Sequence, residues 1–405
     1  MSTAAPTQWK TLPAPDSPDA WIERAAEVAA LLATDAAARD KVGATPYTEI
    51  QLLKDSGLVT LLGPAEHGGG GQDWTTAYRV IREVAKADGS IGQLLGYHYL
   101  WNWAARLVGT REQWEHVEAE AVRQTWFFGG AVNPRDSDVV VTEDGDDLVF
   151  TGSKTFSTGS KVSDVTVLEG VLEGTDQHVF AIVPSDSEGL VFHDDWDNIG
   201  QRLTESGGVT IDGVRTPWAS AAGYVDKEFR PRVYNTLNVP TIQLVFISFY
   251  LGIAAGALET AATYTRTKAR SWLHGGYEQA VDEPYVIDTY GDLTAKLWAV
   301  EALADAVAAE GQKLHDAPDE VTERTRGEFE VRVAAAKARA TDVALEVTSR
   351  IFEVTGARAT ASAEGLDRFW RNVRTHTLHD PVAYKRREVG RHVLTGELPE
   401  PTWYS

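Results

Sequence analysis

The chain has 405 residues, which at roughly 150 residues per domain is enough for two or three domains. It carries 38 basic and 59 acidic residues, and the net charge of −21 argues against nucleic acid or an anionic membrane as partner. There is no cysteine, which excludes disulfides, thiolate nucleophiles, iron–sulfur clusters and cysteine-bound zinc. We therefore predict a globular protein of the reducing cytoplasm, and the first forty residues show no signal-peptide pattern.

The first part of the chain, residues 19–126, has a helical pattern with apolar residues three and four positions apart. Four consecutive glycines, Gly68 to Gly71, interrupt this pattern and predict a tight loop. Neither the G-x-G-x-x-G nor the G-x-x-x-x-G-K-[ST] spacing occurs anywhere in the chain. The glycine run is therefore not predicted to cradle a nucleotide phosphate.

The middle part, residues 127–228, has the composition of strands. Short β-branched or aromatic runs are separated by turn residues, and they lie at 139–141, 148–150, 165–168, 178–183 and 208–211. This spacing predicts a small antiparallel barrel or sandwich. We divide the chain into an N-terminal helical domain (1–126), a β domain (127–228) and a C-terminal helical bundle with a tail (229–405).

One segment of the C-terminal part is long and apolar enough to raise the question of a membrane. Residues 242–258 carry no charge, and this segment of 17 residues is close to the length needed to span a bilayer. Gln243 and Ser248 interrupt the segment, and no second segment of this kind is present to pair with it. We therefore expect a core helix of a large bundle and no membrane partner.

Several longer runs resemble one family. The runs are GLVTLLGPAEHGGGG at 57–71, ADGSIG at 87–92, GYH at 96–98, DDW at 194–196, YTRT at 264–267, and DRFWRNVRTH at 367–376 followed by LHDP at 378–381. Together they resemble the acyl-CoA dehydrogenase superfamily over nearly the whole chain. Within it the closest resemblance is to the flavin-dependent monooxygenase branch of the dibenzothiophene monooxygenase type.

The resemblance implies an α+β fold with an N-terminal helical domain, a small central antiparallel β-barrel and a C-terminal four-helix bundle. It also implies a homotetramer that takes reduced FMN, or possibly FAD, from a separate NAD(P)H-dependent flavin reductase. The flavin reacts with O2 to a C4a-hydroperoxide, which oxygenates an organosulfur or heteroaromatic small molecule. N-hydroxylation of an amine is the alternative within this class, and acyl-CoA dehydrogenation is a further one.

The same resemblance implies a set of flavin contacts. They are Tyr97, Gly130, Ala131, Val132 and Asn133 in a loop that runs to Arg135, then Lys154, Thr155, Phe156, Ser157, Thr158, Trp196, Arg270, Ala357, Arg358 and His379. Among these, His379 is the implied proton donor, and Thr158 and Tyr97 offer hydroxyls to the reacting flavin. Arg270 and Arg358 suit the phosphate because a guanidinium matches two phosphate oxygens.

Other interpretations of these residues stay open from the sequence. His376 and His379 have the i, i+3 spacing of a two-histidine metal site, and Trp196 would equally serve as a packing residue. A dehydrogenase needs a carboxylate base near residues 373–377, where none occurs, although Asp380 is close. The chain also departs from the family pattern, with Gly130 in place of Asn, Thr158 in place of Ser and Gln93 in place of His, so the substrate pocket is expected to differ.

Overall fold

The computed structural model describes Trp9, residues 12–133 and residues 138–402, so Arg135 lies outside the described residues. The N-terminal part is helical, as predicted. Its helices α1 to α6 are Pro18–Ala33, Ala36–Val42, Tyr47–Asp55, Trp74–Ala87, Gly89–Val108 and Arg111–Gln124. Asp88 ends α4 and caps α5, because its carboxylate accepts from the backbone N–H groups of Ser90 and Ile91.

Helix α5 is buried over almost its whole circumference, and it carries both Tyr97 and Trp101. The glycine run before α4 forms a tight loop, as predicted, in which Gly69 lies directly on the backbone of Gly63. A Cβ on Gly69 would come within 2.4 Å of the Gly63 carbonyl oxygen, so this loop needs glycine for close backbone packing.

The central part forms a curled sheet. Its strands β1 to β9 are Phe128–Ala131, Val139–Asp144, Asp147–Lys154, Val165–Leu172, His178–Pro184, Leu190–Phe192, Val209–Pro217, Tyr224–Val225 and Glu228–Phe229. The order in the main sheet is β1-β4-β2-β3-β7-β6, with β5 paired to β4, while β8 and β9 form a separate hairpin.

The sheet differs from the prediction in one respect. Strand β4 runs parallel to β1 along residues 128–131 and parallel to β2 at Val140 and Val141, whereas the remaining pairs are antiparallel. The hairpin of β2 and β3 reverses the chain once, and the connection from β3 to β4 reverses it again, so β4 runs in the same direction as β1 and β2. The sheet is therefore mixed, a pairing that the strand runs alone do not reveal.

The C-terminal part is a bundle of long helices. Helices α7 to α11 are Asn238–Thr267, Pro284–Asp316, Glu323–Thr355, Asp367–His376 and Val382–Thr395. Helix α9 packs against α7, α8 and α11, which together make four helices, and the short α10 crosses between α7, α9 and α5. The apolar segment is part of α7, and 94% of its most hydrophobic window is buried inside the protein, as expected of a core helix.

The apolar cores do not correspond one to one to the three parts of the chain. One large core joins residues of both helical parts, including Trp74, Tyr99, Phe249 and Val343, and a second, smaller core lies inside the sheet. The structure changes from helix to strand between Gln124 and Phe128, and back between Phe229 and Asn238. The division into domains at 126 and 228 remains our proposal.

Candidate active site

His376 lies at the centre of a buried aromatic cluster where α5, α7 and α10 meet. Its Nε2 atom is 3.1 Å from the hydroxyl of Tyr97, and its Nδ1 atom is 2.8 Å from the hydroxyl of Tyr250. Burial, together with the neighbouring His379 and Lys337, holds the pKa of His376 well below its ordinary value despite the opposing effect of Asp380. His376 is therefore neutral, and the two tyrosines occupy both of its ring nitrogens.

His379 lies one helical turn further on and is half exposed. Its ring stacks on that of His376, with centroids 5.4 Å apart and planes 10° apart, and meets the ring of Phe246 at 4.9 Å. Its Nδ1 atom is 3.2 Å from the Oδ1 atom of Asp380. Because Asp380 occupies Nδ1, Nε2 is the nitrogen left for a ligand. The spacing does bring the two rings together, although His379 lies in the turn after α10 and not on the helix, and of the two only His379 is accessible.

Asp380 connects His379 to two residues that the sequence did not single out. Its Oδ2 atom accepts a hydrogen bond of 2.9 Å from Gln243 and lies 3.9 Å from the Nζ atom of Lys337. Burial favours the neutral acid, but Lys337 and the hydrogen bonds from His379 and Gln243 outweigh it and hold the pKa of Asp380 well below its ordinary value. The only sequence signal for Lys337 is a lysine on the buried face of the alanine-rich helix α9.

Gly130 and Thr158 bring the sheet up to Trp101, which lies beside Tyr97 at the edge of the aromatic cluster. A Cβ on Gly130 would lie 2.4 Å from the indole of Trp101, whose ring is 6.2 Å from that of Tyr97. The backbone N–H of Gly130 donates to the carbonyl of Thr158, and the Thr158 hydroxyl is 2.8 Å from that of Ser206. The predicted residues Tyr97, Gly130 and Thr158 are therefore linked through Trp101.

The loop after β3 is attached to α10. Phe156 has a left-handed backbone, with φ of 58°, and its exposed ring meets Trp196 edge to face at 6.1 Å. The indole N–H of Trp196 donates to the carbonyl of Gln201, whose own N–H donates to the Asn372 side chain on α10. Helix α10 thus holds both this loop and His376. A stacking role of Trp196 on a flavin remains a prediction.

The remaining predicted residues of the sheet are backbone or anchoring positions. The ammonium of Lys154 is fully buried, 2.8 Å from Glu169 and 3.0 Å from the carbonyl of Asn133. It therefore anchors the loop after β1 to the sheet. The side chain of Ala131 belongs to the core inside the sheet and can offer a ligand only its backbone. Val132 is half-buried, Ser157 is buried, and Thr155 is exposed.

Arg270 and Arg358 do not join the other predicted residues. Both are exposed beyond the far ends of α7 and α9, where Arg358 donates to the carbonyl of Lys268 at 2.9 Å. Along α7, Phe246 and the helix end at Thr267 are roughly 30 Å apart at about 1.5 Å of rise per residue. Ala357 lies beside Arg358 and is also exposed. Within one chain these residues cannot contact the same flavin as Tyr97 and His379.

A cavity of about 240 Å³ lies between α5, α6 and the outer face of the sheet. Trp101 forms the wall next to Tyr97, and most of the lining is apolar. The lining residues include Ala104, Ala105, Val108, Val117, Trp126, Val132, Val167, Phe180 and Ile182, with Gln113, His116, Glu120 and Asn238 as polar members. None of the lining residues within the described part of the chain is Lys or Arg.

Comparison with known proteins agrees with this architecture. Residues 20–123 match the family model of the acyl-CoA dehydrogenase N-terminal domain, and residues 244–383 match that of the C-terminal domain. A dibenzothiophene monooxygenase from Mycolicibacterium goodii is 42% identical over 397 residues, which cover 95% of this chain and 96% of the relative. The chain belongs to the acyl-CoA dehydrogenase superfamily. This membership confirms the fold predicted from the sequence runs.

Two solved structures of this superfamily cover 95% of the chain. The FMN-bound structure of TdsC from Paenibacillus sp. A11-2 has a TM-score of 0.90, is 39% identical and is covered over 100% of its length. The methanesulfinate monooxygenase MsuC from Pseudomonas fluorescens has a TM-score of 0.91, is 37% identical and is covered over 99%. Within the superfamily, the chain therefore lies with flavin monooxygenases, as the sequence runs indicate.

Proposed function

We propose that the protein is the oxygenase component of a two-component flavin monooxygenase, which uses reduced FMN and O2 to oxygenate a small organosulfur or heteroaromatic compound. The observation that carries the proposal is the convergence of Tyr97, Gly130, Thr158 and His379 on the junction around Trp101 and Phe246. The similarity to dibenzothiophene monooxygenase and to FMN-bound TdsC supports the same activity.

The residues at this junction suit a flavin ring. Within the described residues, the buried Nε1 atom of Trp101 and the buried hydroxyls of Ser157 and Ser160 have no hydrogen-bond partner. Buried polar atoms of this kind indicate a missing ligand or water, and the edge of an isoalloxazine ring carries matching donors and acceptors. Tyr97, Gly130, Thr158, Trp196 and His379 would hold this ring.

When bound, reduced FMN supplies the chemistry that activates O2 and transfers one oxygen atom to the substrate. The chain itself supplies position, a dry environment and a proton. Asp380 accepts from the Nδ1–H group of His379 and so orients the ring with Nε2 toward the ligand side, where the doubly protonated ring would give its Nε2 proton. The rings of Phe246 and Trp101 exclude water, which limits loss of the oxidant as hydrogen peroxide.

The cavity beside Trp101 favours a neutral, apolar substrate. Its lining is mostly aliphatic and aromatic, and the described part of it offers no cation to a sulfinate anion. The carboxylate of Glu120 is ion-paired with Arg123, so the cavity does not present a free negative charge to an amine either. We therefore rank an aromatic thioether or heteroarene above an alkanesulfinate, and an amine to be N-hydroxylated as the second candidate.

The structure argues against an acyl-CoA dehydrogenase reaction. Asp380 is the carboxylate nearest to the position of the expected base, but Lys337, Gln243 and His379 already engage it. Because these partners hold the pKa of Asp380 well below its ordinary value, it is a poor base for removing a proton from carbon.

The separated arginines support a homo-oligomer. We propose that Arg270 and Arg358 of one subunit bind the flavin phosphate of another, within a homotetramer. A separate NAD(P)H-dependent flavin reductase would supply the reduced FMN, since the chain has none of the nucleotide-binding motifs sought in its sequence. We also propose a cytoplasmic location, in keeping with the absence of cysteine.

The test is a coupled assay with a flavin reductase, NADH, FMN and 18O2. Dibenzothiophene, indole, methanesulfinate and a primary amine are compared as substrates. We expect one 18O atom in the product of an aromatic substrate and little turnover of methanesulfinate. Rapid anaerobic bleaching of the bound flavin by an acyl-CoA would instead favour the dehydrogenase.

A further inference from the structure

Lys337 is a buried lysine for which the mechanism above gives no direct role. It lies on α9 and is 1% exposed. Its Nζ atom lies 4.3 Å from the ring centroid of Phe246 and 5.0 Å from that of Tyr250. In the part of the chain that the structure describes, no acceptor is within hydrogen-bonding distance of it. Burying an ammonium in this way is costly, so a role beyond packing is expected.

The charges around Lys337 come from three elements. Asp380, in the loop before α11, is 3.9 Å away and is the nearest anion. Glu330 on α9 is hydrogen-bonded to Lys385 on α11, which is also close to Glu388. His376 on α10 is also nearby, but it is neutral and adds no charge. Asp380 is therefore the carboxylate that Lys337 compensates, together with His379 on its other oxygen, because the two glutamates are paired with Lys385.

The contacts form a line from the bundle core to the accessible histidine. The Nζ atom of Lys337 faces Oδ2 of Asp380, and Oδ1 of the same carboxylate contacts Nδ1 of His379. Gln243 adds a second donor to Oδ2, at 2.9 Å. We propose that Lys337 is a positioning residue of the flavin site, which holds the carboxylate of Asp380 where it orients His379. What His379 then does rests on the proposed function.

This arrangement makes the site sensitive to alkaline pH. Burial, with a smaller effect of Lys385, lowers the pKa of Lys337 to about 8 against the opposing effects of Asp380 and Glu330. Above this pH the amine loses its proton, and Asp380 loses its cation. We expect the coupling of FMN oxidation to product formation to fall, and hydrogen peroxide release to rise, as the pH passes through about 8.

The test compares Lys337→Met with Lys337→Arg over pH 6.5 to 9.5. Lys337→Met should reduce coupling about tenfold at pH 7 and make it independent of pH in this range. Lys337→Arg keeps the charge at all these pH values, so it should retain part of the coupling and lose the decline above pH 8. Lys385→Met is the matched control, because Lys385 is also buried but contacts Glu330. It should keep the decline, at a somewhat higher pH because Lys385 lowers the pKa of Lys337.

A double variant tests whether Lys337 acts through Asp380. Asp380→Asn and Lys337→Met should each lower coupling to a similar level, and the combination should be no worse than either. Additive losses, or a Lys337→Met enzyme with the coupling and pH profile of the wild type, would overturn the proposal.

A measurement without FMN separates this proposal from the proposed function. The folded protein holds the Lys337 proton less tightly than the unfolded chain, whose lysine pKa is about 10.4. Between pH 8 and 10 the unfolded chain therefore binds more protons, and the melting temperature of the wild type should rise relative to Lys337→Met. A crystal structure of Lys337→Met should also show the His379–Asp380 contact broken.

If the wild type oxygenates nothing, the proposed function fails. These two measurements still decide on Lys337: parallel melting curves and an intact contact would refute its role.

Discussion

The two ends of the proposed flavin site differ in how much of them one chain provides. At the ring end, Tyr97, His376 and Tyr250 form a buried, hydrogen-bonded cluster, and Asp380 and Lys337 support His379 from behind. At the phosphate end, Arg270 and Arg358 are exposed, and they lie roughly 30 Å further along α7 at its rise per residue.

This difference shows which part of the site depends on assembly. A ring site made of buried contacts within one chain is rigid before any ligand binds. Two exposed arginines that have no carboxylate partner among the described residues would gain their role only when another copy brings a phosphate to them. Helix α7 connects the two ends. Each chain would therefore hold the ring of one flavin near the middle of α7 and the phosphate of another flavin beyond the C-terminal end of α7.

The largest expected effect concerns acid, because three buried histidines resist protonation, His376 at the ring end and two others elsewhere in the protein. Besides His376, burial lowers the pKa of His98 to about 4 and that of His315 to about 3. Below the unfolded value of about 6.5, the unfolded chain binds up to three more protons at these sites, so stability falls as the pH falls. We expect the three groups to lower the free energy of unfolding by up to about 4 kcal/mol per pH unit between about pH 6 and pH 4.5, as measured by urea titration.

The next effect compares the two stacked histidines. His379→Phe should keep the fold and most FMN affinity but reduce oxygen transfer about a hundredfold and raise hydrogen peroxide release. His376→Phe should instead cost about 1–3 kcal/mol of stability, because the buried hydroxyls of Tyr97 and Tyr250 lose their partner. Stopped-flow kinetics and thermal unfolding separate the two outcomes. Equal loss of coupling at unchanged stability in both variants would show that the proton donor is misassigned.

The third effect tests whether the phosphate end belongs to another copy. Arg270→Ala and Arg358→Ala should each weaken FMN binding about 10- to 100-fold in a fluorescence titration, the usual effect of losing a charge-assisted hydrogen bond. Arg266→Ala is the matched control, since Arg266 is also exposed near the end of α7. Mixed oligomers of Arg270→Ala with His379→Phe should recover activity, because one of the two sites in a mixed pair then has both residues. No recovery after verified subunit exchange would contradict a shared site.

The smallest effect concerns the contact between sheet and helix at the ring end. Gly130→Ala places a methyl group about where the indole of Trp101 now lies, and should cost about 1–3 kcal/mol of stability by overpacking. Trp101→Phe in the same chain should restore part of this loss because the smaller ring leaves space. Gly145→Ala is a control at a turn where the new methyl group meets no atom, so its cost comes only from a φ of 68°. Thermal unfolding of the three variants and the wild type tests the contact.

Much of the fold was accessible from the sequence because it depends on local patterns. The helical spacing, the β-branched runs and the family-like runs at 57–71 and 367–381 predicted helices, then strands, then a bundle, and family membership confirms that fold. The uncharged segment at 242–258 was correctly interpreted as a core helix, since 94% of its most hydrophobic window is buried and α4, α5 and α9 pack against α7. The parallel pairing of β4 was not predicted, because pairing depends on the path of the chain and not on any one strand.

The sequence by itself determined the superfamily, the α+β order of elements and the residue types that a flavin site would use. Only the tertiary structure decided which of these residues meet. It placed His376 between two tyrosines and left His379 accessible, although the two rings stack on each other. It brought Lys337 to Asp380 from a helix 43 positions earlier in the chain, and it moved Arg270 and Arg358 away from the ring. The physical reason is that burial and charge pairing depend on neighbours from distant segments, which no local pattern specifies.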